Sequence, residues 1–262
     1  MNRRMNLFSY SKIKRIVKYG KIIIKRVIDS TNQYFLDSIN NLKSGDTCIS
    51  EFQTNGRGKL GKQWYSSFGK DICMSFYWLF YGNHIKIMGL SVIVSIIVAE
   101  VLKKEIGNTI TIKWPNDIYL NKRKLAGILV ETVKETRNLT HVIIGIGINM
   151  EHCKYKEKIN CSWINFKNSN IKIEKNFLVS KIILALRKEL NTFEKYGFYS
   201  FIEKWRKLDI FFNKKVKIFS ENYYDVGVAK GINKSGEILI ENNNGEIISY
   251  HKNISILDIN HS

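Results

Sequence analysis

Residues 113–127 read Lys113-Trp114-Pro115-Asn116-Asp117-Ile118-Tyr119-Leu120-Asn121-Lys122-Arg123-Lys124-Leu125-Ala126-Gly127. Pro115 is the only proline in a chain of 262 residues built heavily from Lys, Ile and Asn. A proline fixes its own backbone angle and holds the residue before it extended. Asn116 and Asp117 therefore project from a rigid turn at the end of the short apolar run Ile110 to Lys113. Pro-Asn-Asp is also good chemistry for a simple turn. Lys124 begins a second apolar run, and a lysine that is partly buried needs an anion, from the protein or from a ligand. A turn alone does not require a tryptophan, an amide, a carboxylate, several cations and a glycine in one place.

Apolar runs and turn signals on either side give an alternation of strands and helices. Strands are expected at Ile22 to Ile28, Thr47 to Phe52, Ile72 to Phe80, Ile110 to Lys113, Leu125 to Val133 and His141 to Met150. The last two are joined by a polar turn near Glu135 to Asn138. Helices are expected from Ser30 to about Leu42, Leu90 to Ile106 closed by Gly107-Asn108, Leu178 to Phe193, and Phe198 to Leu208. Ser30, with Gln33 three residues on, has the form of a capping box. Past Asp209 the chain turns to short strands, Val216 to Phe219, Tyr224 to Gly231, Glu237 to Ile240 and Ile247 to Tyr250. Asn- and Gly-rich turns separate them. The expected organisation is thus residues 1–209 as one α+β unit and 210–262 as a small SH3-like β unit.

The chain carries 42 basic and 23 acidic residues, a net charge of +19. Such a surface attracts nucleic acid, anionic lipid or an acidic partner. The lysines nevertheless run from Lys12 to Lys252 together with Asn and Ile, the signature of a bias over the whole chain. No recognition helix or aromatic RNA-binding sheet is evident, which counts against a nucleic-acid-binding protein. Cys48, Cys73, Cys153 and Cys161 form no Cys-x-x-Cys pair and fit neither a zinc site nor a disulfide framework. Free thiols in a reducing cytoplasm are the simplest account. The five histidines show no metal-ligand spacing, so no protein-held transition metal is expected. The N-terminus lacks the apolar segment of a signal peptide. The most apolar stretch, Met88 to Leu102, is too short to span a membrane.

Two glycine-rich stretches carry further chemistry. Gly56-Arg57-Gly58-Lys59-Leu60-Gly61 matches G-x-G-x-x-G, but Lys62-Gln63-Trp64-Tyr65-Ser66-Ser67 follows it and is no helix start, so the dinucleotide-binding reading fails. There remains a cationic, glycine-hinged loop suited to folding over an anion; the same pattern also suits an ordinary surface loop. Gly145-Ile146-Gly147-Ile148-Asn149 ends an apolar strand, where glycines mark the close approach of a backbone or ligand, or tight packing. No Ser or Cys has an evident base. The chemistry expected is positioning and electrostatics, not a covalent intermediate.

In order along the chain, Asp29-Ser30-Thr31-Asn32-Gln33, Glu51-Phe52-Gln53, Gly56-Arg57-Gly58, Lys113-Trp114-Pro115-Asn116-Asp117, Lys124-Leu125-Ala126-Gly127-Ile128 and Gly145-Ile146-Gly147-Ile148-Asn149 resemble the biotin–protein ligases. The similarity runs from about Ile22 to Ile256 and includes the Trp205 segment. It is nearest to the bacterial ligases that double as biotin-operon repressors. The resemblance implies a mixed central sheet flanked by helices, the fold shared by class II synthetases and biotin and lipoate ligases, plus a C-terminal SH3-like β-barrel. It implies ATP and Mg²⁺ as cofactors, biotin as substrate, and the biotin carboxyl carrier protein domain of acetyl-CoA carboxylase as partner.

It also implies roles by position. Ser30, Thr31, Asn32 and Gln53 would hold the ureido ring of biotin. Gly56, Arg57, Gly58 and Lys59 would close over the adenylate, and Lys124 would bridge the carboxylate and the α-phosphate. Trp64 would line the adenine side; Asn116, Gly127, Ile128 and Asn149 would shape the nucleotide pocket; Asp117 would orient the attacking lysine or help hold Mg²⁺. Lys124, Arg57 and Asp117 are the expected catalytic residues. Where the family carries arginines after Gly58, this chain has Lys59, Leu60 and Lys62, which cannot reproduce a bidentate arginine contact. Only 29 residues precede Ser30, so no repressor activity and no specific DNA binding are expected. A lipoate–protein ligase shares the fold and is the alternative enzymatic reading. A cytoplasmic monomer or homodimer, with no membrane contact, completes the expectation.

Overall fold

The computed structural model describes residues 7–81, 87–107, 110–135, 139–151, 164, 166, 173–220, 223–251 and 254–259. Asn108, Cys153, Cys161, Lys252 and most of the expected turn at Glu135 to Asn138 lie outside them.

Seven strands form the main sheet: β1 (Ile22–Lys25), β2 (Thr47–Ser50), β3 (Asp71–Tyr81), β4 (Ile110–Lys113), β5 (Asp117–Leu120), β6 (Arg123–Glu135) and β7 (Leu139–Asn149). Their order across the sheet is β1-β2-β3-β7-β6-β5-β4. Only β1 and β2 run parallel, so the sheet is mixed. The helices are α1 (Tyr10–Ile16), α2 (Thr31–Asp37), α3 (Ile87–Ile106), α4 (Lys175–Tyr196) and α5 (Tyr199–Leu208). A second, antiparallel sheet contains β8 (Lys215–Ser220), β9 (Tyr223–Ile232), β10 (Ile238–Glu241), β11 (Ile247–Tyr250) and β12 (Ser255–Asp258), in the order β11-β10-β9-β8-β12.

Strand side chains alternate between faces. On β3, Ile72, Met74, Phe76, Trp78 and Phe80 join the main core with α1, α3, α4 and α5. Helix α3 is apolar nearly all round because it lies inside, touching the sheet, α4 and α5. Its Ser95 hydroxyl is satisfied by donating to the Ser91 carbonyl at 2.8 Å. Each of its buried Leu, Ile and Val side chains contributes about 1.5–3 kcal/mol. The opposite face of the sheet is covered differently. There α2 packs through Phe35 against Cys48, Tyr77 and Ile143. Burial pushes the Cys48 thiol up to about 12, so it stays protonated.

Three elements were not expected from the sequence. Helix α1 is short and buries Ile13 alone among its seven residues, too few apolar positions to show a period. Strand β5 follows directly on the Pro115 turn, and of its residues only Asp117 is placed by the sequence, in that turn. It is linked to β6 through Asn121 and Lys122, with φ of 50° and 62°. That is the pattern of a type I′ hairpin, made here without the glycine that usually announces it. Strand β12 is a four-residue edge strand with only Ile256 buried. The helix expected to reach Leu42 ends at Asp37 and passes into a 3₁₀ turn at Ile39–Asn41.

The two sheets share one continuous core, which runs from Ile72 and Ile112 to Val216, Ala229 and Ile240. Near the expected boundary, Ile210 N–H donates to the Ile112 carbonyl at 3.0 Å. The buried Asp209 carboxylate accepts from Trp205 Nε1 at 3.0 Å and from Phe211 N–H at 2.9 Å. The Trp114 indole N–H reaches the Gly236 carbonyl at 3.0 Å, fixing the Pro115 turn against the second sheet.

Candidate active site

The sheet face opposite α3 is organised in rows by strand register. One row runs Cys73, Gly147, Gly127, Asp117, Lys113 across β3, β7, β6, β5 and β4. The next runs Ser75, Gly145, Leu129, and a third Tyr77, Ile143, Glu131. The glycines explain what can lie on these rows. A Cβ on Gly147 would stand 2.2 Å from Trp64 Cε2, and one on Gly127 would stand 3.0 Å from the same indole. A Cβ on Gly145 would stand 2.5 Å from Asn32 Oδ1. The glycines are therefore a floor on which Trp64 and Asn32 rest.

A cavity of about 850 Å³ opens over this floor. Its walls bring together Ser30, Thr31, Asn32, Gln53, Arg57, Gly58, Lys59, Trp64, Asn116, Asp117, Lys124, Gly127 and Ile128, residues far apart in sequence but each expected at the site. Two expected residues stand behind the wall. Gly56 accepts the Trp64 N–H on its carbonyl at 2.8 Å, and a Cβ there would meet the Trp64 carbonyl at 2.4 Å. Asn149 is buried at the end of β7, opposite Asp71.

At one end of the cavity neutral polar groups are held in fixed orientations. Ser30 caps α2, its hydroxyl accepting from Gln33 N–H at 3.4 Å. The reciprocal half of the expected capping box is not formed. Ser30 N–H instead donates to Asp29 at 2.6 Å, and Gln33 Nε2 donates to Asp37 at 2.8 Å. Gln53 Oε1 accepts from both the N–H and the hydroxyl of Thr31, at 2.7 and 3.0 Å. The Ser75 hydroxyl is bonded to Thr31 Oγ1 at 2.7 Å and to Asn32 Oδ1. Asn32 Nδ2 donates to Glu131 at 2.7 Å.

At the other end the charges gather. Lys124 Nζ lies 2.7 Å from Asp117 Oδ1 and 6.0 Å from the Trp64 ring. Lys124 owes its direction to a β-bulge. Ala126 pairs with Ile118 but Lys124 pairs with Tyr119, so Leu125 is the extra residue. Without the bulge, alternation from Gly127 would turn Lys124 to the other face. Lys59, Lys62 and Lys113 also line this end, and Asp117 is the one carboxylate among its described lining residues. Burial lowers the Lys59 ammonium to about 8; Asp117 opposes the shift and Lys124 adds to it. Burial likewise lowers Lys113, with Asp117 opposing and Lys124 and Lys62 adding. Cations outnumbering carboxylates in a partly enclosed space form a receptor for a polyanion.

Asn116 is also a structural staple: its side-chain Nδ2 donates to the Ile128 carbonyl at 2.8 Å and its backbone carbonyl accepts from Ile128 N–H at 3.0 Å. Five participants escaped the sequence reading: Gln33 as a partner of Arg57, Ser75, Glu131, Lys113 and His251. Lys113 stands inside the quoted motif, and its spacing of four residues from Asp117 across the Pro115 turn is the available signal; the structure pairs the two. His251 and Ile254 to Ile256 come from the second sheet, which thus supplies part of the wall.

Residues 24–149 match the model of the Biotin/lipoate A/B protein ligase family. The bifunctional ligase/repressor BirA of Escherichia coli strain K12 is 41% identical over 223 residues, 85% of this chain and 70% of that protein. The BirA of Bacillus spizizenii is 29% identical over 242 residues, 89% of this chain and 73% of the relative. Among solved structures, a biotin protein ligase from Aquifex aeolicus in complex with biotin and ATP superposes with a TM-score of 0.79. It is 24% identical, and the match covers 92% of this chain and all of that one. A floor of glycines under a tryptophan, with a polar end and a cationic end, thus sits on the fold of these enzymes, and the chain belongs to the biotin/lipoate A/B protein ligase family, among its biotin–protein ligases.

Proposed function

We propose that this cavity uses ATP to convert biotin to biotinyl-5′-adenylate. The biotinyl group then passes to a lysine of the biotin carboxyl carrier protein domain of acetyl-CoA carboxylase. The observation that carries the reading is the division of one cavity into an oriented neutral end and a cationic end joined by the Arg57 loop. The ligase name of the BirA relatives and the biotin and ATP held by the Aquifex aeolicus protein support it. Residues 1–209 would form the catalytic unit and 210–262 a β unit that closes its wall.

A ureido ring offers two N–H donors and a carbonyl acceptor, which match the hydroxyl and amide groups of Ser30, Thr31, Asn32 and Gln53. A dithiolane offers none of these, and it would leave buried polar groups unpaired, a loss on the order of 1–3 kcal/mol for each. In the first half-reaction a carboxylate oxygen attacks the α-phosphorus and the bond to pyrophosphate breaks. Two anions must approach, so Lys124 and Arg57 offset charge where it builds up. Trp64 offers its indole to the adenine. In the second, the target amine attacks the acyl carbon and AMP leaves; Asp117 orients that amine. The Gly56-Arg57-Gly58-Lys59 loop keeps water from the mixed anhydride.

Mg²⁺ favours phosphate oxygens with few protein carboxylates. Asp117 is the one carboxylate among the described lining residues, and among the described residues no cluster of three His, Cys, Asp or Glu side chains exists. The ion therefore fits as one held chiefly by the triphosphate. It would neutralise phosphate charge.

The test is transfer of labelled biotin to a purified carrier domain with ATP and Mg²⁺. The expected result is stoichiometric labelling and biotin-dependent pyrophosphate release. Absence of both overturns the reading, and tighter calorimetric binding of lipoate than of biotin would replace it with the lipoate alternative.

A further inference from the structure

Glu131 lies on the site face of β6, in the third row, opposite Ile143. Its carboxylate serves two side chains at once. One oxygen accepts from Asn32 Nδ2 at 2.7 Å and the other from the Arg57 guanidinium. Arg57 also donates to Gln33 Oε1 at 2.9 Å. Glu131 thus joins α2, which carries the neutral polar end, to the glycine-rich loop, which carries the Arg57 cation. These partners are 99 and 74 residues away in sequence.

The two bonds define geometry as well as proximity. With a carboxylate on its nitrogen and the Ser75 hydroxyl on its oxygen, the Asn32 amide has a single sensible orientation. The Arg57 fork spans two acceptors on separate elements with two different nitrogens held in one plane, a fixed geometry that a lysine's point ammonium does not reproduce. A guanidinium has five N–H donors, so Arg57 can keep both acceptors and still meet an anion in the cavity it lines.

We propose that Glu131 is a positioning residue that sets Asn32 and Arg57 together, so that occupation of the neutral end and closure of the glycine-rich loop are coupled. The proposal rests on the reading of the cavity as a biotin-adenylating site. Arg57 would meet biotin's carboxylate while Asn32 meets its ring, and Glu131 fixes the distance between them. A solvated ion pair without this role is worth no more than about fivefold in an equilibrium.

The test is Glu131→Gln in the whole chain, alone and combined with Arg57→Ala and with Asn32→Ala. The readouts are KM for biotin and kcat, from pyrophosphate release, together with trypsin cleavage at Arg57, Lys59 and Lys62. The expected result is a rise in biotin KM of about tenfold or more, with each double variant no worse than its poorer single variant. Loop cleavage should accelerate by a similar factor. A KM within twofold of the parent, or effects that simply multiply, overturns the proposal. Should the parent release no pyrophosphate with biotin, the biotin reading fails; loop cleavage then decides for Glu131, and an unchanged rate overturns its role. Arg57→Lys, which keeps the charge and the trypsin site but loses the fork, should reproduce the faster cleavage. If Glu131→Gln fails to fold, unchanged cleavage in Arg57→Lys overturns the proposal.

Discussion

Lys124 Nζ and Asp117 Oδ1 stand 2.7 Å apart because the bulge at Leu125 turns Lys124 onto the same face as Asp117. Both side chains are about one-quarter exposed, so the pair contributes little to stability, of order 0–1 kcal/mol. Its value lies in holding an ammonium where negative charge gathers. Lys124→Ala should lower adenylate formation by about 10²–10³-fold while leaving the thermal midpoint nearly unchanged. Pyrophosphate release and a melting curve on the same sample check both halves. Near-normal release would remove Lys124 from the mechanism.

Gly147 and Gly127 predict a graded pair of variants. A methyl group on Gly147 would sit 2.2 Å from the Trp64 ring, which must move; on Gly127 the approach is 3.0 Å, which a shift of a few tenths of an ångström relieves. Gly147→Ala should therefore raise KM for ATP by about tenfold or more, and Gly127→Ala by less than half as much on a logarithmic scale. Because the added methyl presses on the Trp64 ring and not on the Thr31–Gln53 hydrogen bonds, calorimetric affinity for biotin should change far less in both. Equal effects of the two substitutions would show that Trp64 does not rest on this floor.

The site was legible in the sequence where chemistry is concentrated in short strings. Arg57 to Lys59 and Asn116 to Lys124 carry residue types that a turn does not need, whereas Ser30 by itself reads as a cap and Thr31, Asn32 and Gln53 stand out only through the family resemblance. Glu131 does not stand out, because one carboxylate near the end of an apolar run reads as an ordinary solvent-facing position. Its meaning comes from register with β7 and from the placement of α2, neither of which is local information. The Leu125 bulge hid in the same way: an apolar run shows that a strand exists but not where its pairing slips. By sequence the glycines of β7 leave open the close approach of a backbone or ligand, or tight packing, and the structure shows side chains packed against them. What approaches them is protein, Asn32 and Trp64, and only the fold names those partners.

Lys59 predicts a pH dependence of nucleotide binding. Burial lowers its ammonium from 10.5 to about 8, so the folded protein holds this proton less tightly than the unfolded chain does. Its charged form opposes folding below about pH 8, and that cost disappears as pH rises toward 10.5. A triphosphate favours the charged form, so binding of ATP near pH 8 should take up protons, and affinity should weaken as pH rises from 7 to 9. Calorimetry in two buffers of different ionisation enthalpy measures the uptake. Lys59→Arg should abolish it, since a guanidinium stays charged throughout. Proton uptake that survives in Lys59→Arg would assign the effect to Lys113 instead.

The ion pair of Glu51 with Lys175 predicts a loss of stability that reaches the site. Both side chains are under 5% exposed, and Lys175 Nζ lies 2.6 Å from Glu51 Oε2 and 4.0 Å from the Phe8 ring. The other Glu51 oxygen accepts the Phe8 N–H, so the pair pins the segment before α1 beneath the strand that leads to Gln53. Removing one partner leaves a buried charge without its counterpart, whereas removing both does not. Lys175→Met should therefore cost about 3–5 kcal/mol, and Glu51→Gln with Lys175→Met appreciably less than that. Urea denaturation of the two variants checks the order. The single variant should also bind biotin more weakly, because Gln53 orients Thr31 from a position two residues beyond Glu51. A double variant no more stable than the single one would mean that packing around Phe8, and not the charge pair, holds this corner.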